Sequence, residues 1–163
     1  MLLLLQVALG VEKRQVTGSL PAPAIVLTKG QEVFVFQCFP AFGRWESDVQ
    51  RTLRERGAVL REAADVVLTR WNESHEIPLL AVEFCSALPA GNQAWQRSGR
   101  AYSIPKACIP YIFVTELGGF ELDRNRERKA ARLPNPAVPY SFVSYSSYTG
   151  YPVMIAYLMN PGG

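Results

Sequence analysis

The sequence predicts an α/β domain built on a mixed central β-sheet flanked by helices. Three observations carry that reading. Apolar runs of strand length stand near 65–69, 79–85 and 110–115. A segment of helical pattern, 91–104, separates the last two, and a strand–helix–strand unit of that length makes a crossover whose two strands run parallel. The first two runs are joined by the short polar stretch 71–76, so they read as an antiparallel hairpin.

With 163 residues the chain has room for one domain with a sizeable core. A hydrophobic content of 48% against 19% charged residues places it among folded rather than disordered chains. The net charge of +3 tolerates an anionic partner without requiring one. Cys38, Cys85 and Cys108 are irregularly spaced with no CxxC pair, and His75 is the sole histidine. That set excludes the usual structural zinc patterns and suits a reducing, cytoplasmic compartment. The apolar run 1–9 has no basic residue before it and is far shorter than the ~20 residues of a membrane span. It therefore reads as a buried first element rather than a signal peptide or anchor, and no membrane association is expected.

Taken in order, residues 1–43 hold an apolar segment, 24–28, and a Val- and Phe-rich one, 32–39, around the turn Lys29-Gly30-Gln31. They predict an N-terminal hairpin packed on the core. The core itself spans 44–132. It opens on a helix from about Arg44, with Trp45, Val49 and Leu53 on one side and Gly57 as its stop. The three apolar strands and the 91–104 helix follow. From 133 to 163 the texture changes: Pro134, Pro136, Pro139 and Pro152 mix with Tyr140, Tyr145, Tyr148, Tyr151 and Tyr157. This predicts an irregular, Pro/Tyr-rich C-terminal extension and points to a larger-chain context.

The chemistry centres on Glu83, one acid inside the apolar run 79–85. A lone carboxylate among apolar neighbours costs several kcal/mol unless it is paired or holds a metal. Asp65 stands at the start of the preceding strand. Two carboxylates at neighbouring strand ends make a hard-oxygen site suited to Mg²⁺ or Mn²⁺. On the following helix, Gln93, Gln96, Arg97 and Arg100 recur at i, i+3, i+4 and i+7, so they share one side. The expectation is an exposed amide and guanidinium face able to meet a phosphate.

An acid on a helix, an Asp opening a strand, a Glu within the next strand, then a helix and a strand: this order resembles the restriction-endonuclease-like, or PD-(D/E)xK, nuclease superfamily. The matching pieces are Trp45-Glu46-Ser47-Asp48-Val49, Ala64-Asp65-Val66-Val67-Leu68 and Val82-Glu83-Phe84-Cys85, followed by Gln93-x-x-Gln96-Arg97 and the strand at 109–114. The resemblance implies a metal-dependent endonuclease of the restriction or defence type. Asp65 and Glu83 would hold the metal with help from Glu46. Gln96 or Arg97 would position the scissile phosphate or the attacking water. Gln93, Arg97, Arg100 and Lys106 would contact nucleic acid, DNA rather than RNA, in a chain that acts as a homodimer or within a larger protein. One position departs from the pattern. The lysine expected two residues after Glu83 is Cys85; where catalysis is kept, the resemblance implies that the next helix supplies the missing group, from Gln93, Gln96, Arg97 or Lys106.

That departure supports a second reading, a catalytically degenerate nuclease-fold module that binds nucleic acid or a protein partner. A third, a thiol enzyme pairing Cys85 with His75, has no evident third group to orient the histidine.

Overall fold

In the computed structural model of the chain the described residues are 7, 10–19, 22–39, 47–60, 63–85, 92–117, 120–122, 125, 127–131 and 136–159; at 13, 19, 22, 92–98, 116–117, 120–122, 128–131 and 159 the description covers the backbone alone. The strands are β1 (Lys13–Ser19), β2 (Ala22–Lys29), β3 (Glu32–Cys38), β4 (Val66–Asn72), β5 (His75–Cys85), β6 (Tyr111–Leu117), β7 (Phe120–Leu122), β8 (Arg128–Ala131) and β9 (Val153–Met159). Three described helices intervene: α1 (Asp48–Glu55) after β3, α2 (Asn92–Lys106) after β5, and α3 (Ala137–Thr149) after β8.

Seven strands form one mixed sheet in the order β1-β2-β3-β4-β5-β6-β9. From β1 to β5 every neighbour is antiparallel; β5, β6 and β9 are mutually parallel. β7 and β8 pair separately. The sequence explains the change of sense. β2–β3 and β4–β5 are antiparallel hairpins closed by the two-residue loops Gly30–Gln31 and Glu73–Ser74, β3 and β4 stay antiparallel with α1 between them, and the connections from β5 to β6 and from β6 to β9 include the crossover helices α2 and α3. Gly30 holds φ +55° at the first loop position, where a two-residue hairpin of the II′ kind demands glycine.

Both crossovers step in the same direction along the sheet, so their common handedness puts α2 and α3 on one face. The core packing agrees. Alternate strand residues Val67, Ala81, Cys85, Tyr111, Phe113 and Val153 pack with Val49 and Leu53 of α1, Ala101 and Ile104 of α2, and Val138 and Phe142 of α3. Leu27, Phe34, Phe36 and Leu68 form a second cluster on the opposite face. Phe142 anchors α3, meeting Phe113 edge-on at 5.6 Å and Tyr111 at 6.4 Å between ring centroids. At the start of α1, Ser47 caps the helix by accepting the Gln50 N–H at 3.2 Å.

Three expectations change. The strands expected at 24–28 and 32–39 exist, but they continue the sheet through β3–β4 pairing rather than packing on it as a separate hairpin. β5 begins at His75, ahead of the apolar run, and includes Pro78. A proline is tolerated in that central strand because the ladder is already interrupted by a bulge between Leu68 and Thr69. Most of the expected irregular extension is ordered: 137–149 is α3 and 153–159 is the seventh strand of the sheet. Its described prolines sit where backbone donors are dispensable. Pro136 is the N-cap and Pro139 lies in the first turn of α3, while Pro152 precedes β9.

Candidate functional site

Glu83 lies on the helix-covered face of β5, opposite Phe113 of β6 in the register and between Ala81 and Cys85 on the same side. It is fully buried, 0% exposed. Its partner comes from α2, which runs back over β5 and β6: Arg100 Nη1 donates to Glu83 Oε1 at 2.5 Å. The Arg100 side chain is itself only 14% exposed. The pair is therefore a desolvated, charge-assisted contact at the sheet–helix interface.

Asp65 immediately precedes β4. Its main-chain carbonyl accepts from Phe39 N at 2.8 Å, which ties it to the end of β3. Its carboxylate Oδ2 accepts from Phe84 N at 2.7 Å. With Val66 opposite Val82, the Phe84 amide points to where β4 would continue if it began earlier. The Asp65 side chain takes that ladder position. The two acids thus stand at the same end of neighbouring strands, where the sequence reading put them, and one holds the amide of the residue next to the other.

Cys85, two residues beyond Glu83, faces the same way and is buried. It is a small core side chain where the nuclease resemblance would place a lysine. The positive charge nearest Glu83 among the described residues is Arg100, reached from the following helix instead.

Arg100 corrects the expectation of a solvent-facing stripe. Ser103, Ile104 and Ala107 continue its i, i+3, i+4, i+7 series and are all buried. From Arg100 onward, therefore, this side of α2 is buried against the sheet. The side chains of Gln93, Gln96 and Arg97 lie outside the described residues, as does Glu46. Lys106 is exposed at the far end of α2, ~9 Å of helix rise beyond Arg100, with its Nζ 5.4 Å from the centre of the Tyr102 ring. It does not join the two acids.

His75 and Cys85 stand at opposite ends of β5, separated by ten residues and so by about 33 Å of strand. The thiol-dyad reading is excluded by that distance. A side chain the sequence reading passed over lies next to the site. Thr115 of β6 pairs with Cys85 in the register, is 2% exposed, and its Oγ1 has no hydrogen-bond partner among the described residues. Its signal, a hydroxyl inside an apolar run one strand over from Glu83, is visible only once the β5–β6 register is known.

A second polar group, Gln37, Thr69 and Glu76, lies nearer the β4–β5 hairpin. Gln37 Nε2 and Thr69 Oγ1 both donate to Glu76 Oε2, at 2.5 and 2.9 Å. It is an internally satisfied cross-strand network, which accounts for it structurally.

As a metal centre, the donor chemistry of Asp65 and Glu83 fits a hard divalent cation: two carboxylates of adjacent strands, one half-buried and one fully so. No cluster of three or more His, Cys, Asp or Glu side chains is assembled among the described residues. No described helix is long and apolar enough to cross a membrane. No protein-family model, curated protein or solved structure matches the chain.

Proposed function

We propose that the chain is a metal-dependent phosphodiesterase acting on nucleic acid, of the restriction-endonuclease-like kind, with Asp65, Glu83 and Arg100 at its centre. The observation that carries the reading is the Asp65 carboxylate held on the amide of the residue that follows Glu83. The order of elements supports it: an antiparallel β3-β4-β5 meander, a helix, then β6 parallel to β5, with the Asp opening one strand and the Glu inside the next. The resemblance assigns those two acids to Mg²⁺ or Mn²⁺, with Glu46 assisting.

A bound divalent cation supplies a lowered water pKa and a counter-charge for a phosphoryl oxygen. The rest is done by the chain. The Phe84 amide fixes the Asp65 carboxylate. Arg100 sets the rotamer of Glu83 and balances its charge. It takes over the electrostatic task of the missing strand lysine, from the helix that follows. Arg97 and Gln96, nearer the N-terminus of α2, are assigned to the scissile phosphate, with Gln93 alongside them. DNA is the expected substrate.

The test is cleavage of supercoiled plasmid DNA and of single-stranded RNA with Mg²⁺ or Mn²⁺. Asp65→Asn and Glu83→Gln should each abolish cleavage while leaving the far-ultraviolet circular dichroism spectrum unchanged. Cleavage that persists undiminished in both variants would refute the assignment.

Two observations favour the degenerate binding module instead. Glu83 is completely buried with Arg100 against it, and the lysine position is a buried cysteine. On that reading the wild-type chain binds nucleic acid, with affinity falling steeply with salt, and hydrolyses none with either metal.

A further inference from the structure

The 17 basic and 14 acidic residues of the chain all precede Leu133. Everything after that point, including α3 and β9, carries no charged side chain. The consequence falls on the edge of the sheet. β9 is terminal in the strand order, and among the described residues nothing pairs with its outer side. Natural edge strands are guarded by charge, proline or bulges. The opposite edge, β1, follows that rule with Lys13 and Arg14. β9 reads Val-Met-Ile-Ala-Tyr-Leu-Met and pairs with β6 over its whole length without a break in register. Its Met154 and Leu158 are 48% and 54% exposed.

We propose that this edge is the dimer interface of the protein, with β9 pairing antiparallel to β9 of a second copy about a two-fold axis at Ala156. The backbone register selects that geometry. Tyr111 pairs with Val153, and Tyr111 N donates to Pro152 O. The amides and carbonyls of even-numbered β9 residues are therefore used toward β6, and those of Val153, Ile155, Tyr157 and Met159 point outward. A two-fold at Ala156 brings Ile155 opposite Tyr157 and Val153 opposite Met159 of the other copy as hydrogen-bonded pairs, so every outward group finds a partner. On the face away from the helices the same axis sets Met154 against Leu158, both of them exposed large apolar side chains.

α3 extends the patch. Its Tyr145 and Tyr148 turn toward Tyr102 of α2, at 5.6 and 5.9 Å between centroids. Val143 lies on the opposite flank, toward the β9 side, and is 66% exposed. A second copy is the occupant that fits. It offers the same neutral surface, and a charged partner would meet no complementary charge there.

Sedimentation equilibrium of the 163-residue chain should return twice the 18.1 kDa mass, with dissociation on dilution. Tyr157→Pro removes an outward N–H and no bond to β6, and Met154→Lys puts a charge into the apolar pair. Each should weaken dimerisation at least ~10-fold with an unchanged circular dichroism spectrum. In a Cys108→Ser background, Ala156→Cys should form an intermolecular disulfide with oxidised glutathione, because non-hydrogen-bonded antiparallel partners stand ~4.5 Å apart at Cα. A monomer at all concentrations would overturn the proposal. So would a dimer that survives both edge variants and gives no cross-link with Ala156→Cys, or one held together elsewhere on the surface.

Discussion

Removing Arg100 tests the central contact of the site. Arg100→Met keeps most of the side chain's volume and deletes the guanidinium that meets Glu83 at 2.5 Å. Glu83 is 0% exposed, so water cannot replace the lost partner. Breaking a buried ion pair from one side typically costs about 3–5 kcal/mol, because a charge is left uncompensated in the interior. For a chain of 163 residues each kcal/mol moves Tm by about 2–4 °C, which gives an expected loss of about 6–20 °C. Calorimetry and urea denaturation should agree on that range. The double variant Glu83→Gln with Arg100→Met removes both charges and should recover to within about 1.5 kcal/mol of wild type. Metal provides a second readout. If Asp65 and Glu83 bind Mn²⁺, a concentration 100-fold above Kd should return about 2.7 kcal/mol to Arg100→Met, and none to the double variant beyond what Asp65 alone confers. A single variant that loses less than about 1 kcal/mol would refute the reasoning, since the Arg100 guanidinium would then not be what balances Glu83.

Three further outcomes are expected. Gly57 holds φ +114°, and a Cβ there would stand 3.1 Å from the Lys106 carbonyl oxygen where α1 meets the end of α2; Gly57→Ala should lower stability by more than about 1 kcal/mol in urea unfolding. Burial raises the Cys38 thiol above its ordinary pKa, so in Ellman's titration exposed Cys108 should react first, Cys38 slowly, and buried Cys85 only on unfolding. The same shift has a sign: the unfolded thiol ionises at lower pH than the folded one, so stability should fall as pH rises past about 8.5, and a Cys38→Ala variant should lose that part of the alkaline slope.

What the sequence determined by itself was set by short-range pattern. The apolar run lengths specify β4, β5 and β6, and the helical stretch between the last two makes them parallel. Asp65 and Glu83 were legible as a pair because a hairpin constrains its ends: a strand–loop–strand of that spacing has few ways to separate them. Charge in an otherwise apolar strand was the other readable signal. It predicted a partner for Glu83 without saying which.

Tertiary structure decided the rest, for identifiable reasons. Periodicity shows which side chains share a helix face, but not which way that face turns. Gln93, Gln96, Arg97 and Arg100 belong to the same stripe as Ser103, Ile104 and Ala107, and packing of the latter on the sheet carries Arg100 inward to Glu83. Prolines and tyrosines at 134–157 argued for irregular chain because composition does not record position. At an N-cap, in a first turn and before a strand, prolines remove no bond that the fold uses, and Phe142 has Tyr111 and Phe113 to pack on only after β6 is in place. The unguarded edge of β9 is likewise a property of strand order. Its lack of charge is written in the chain, but only the sheet shows that the uncharged stretch ends up with one side unpaired.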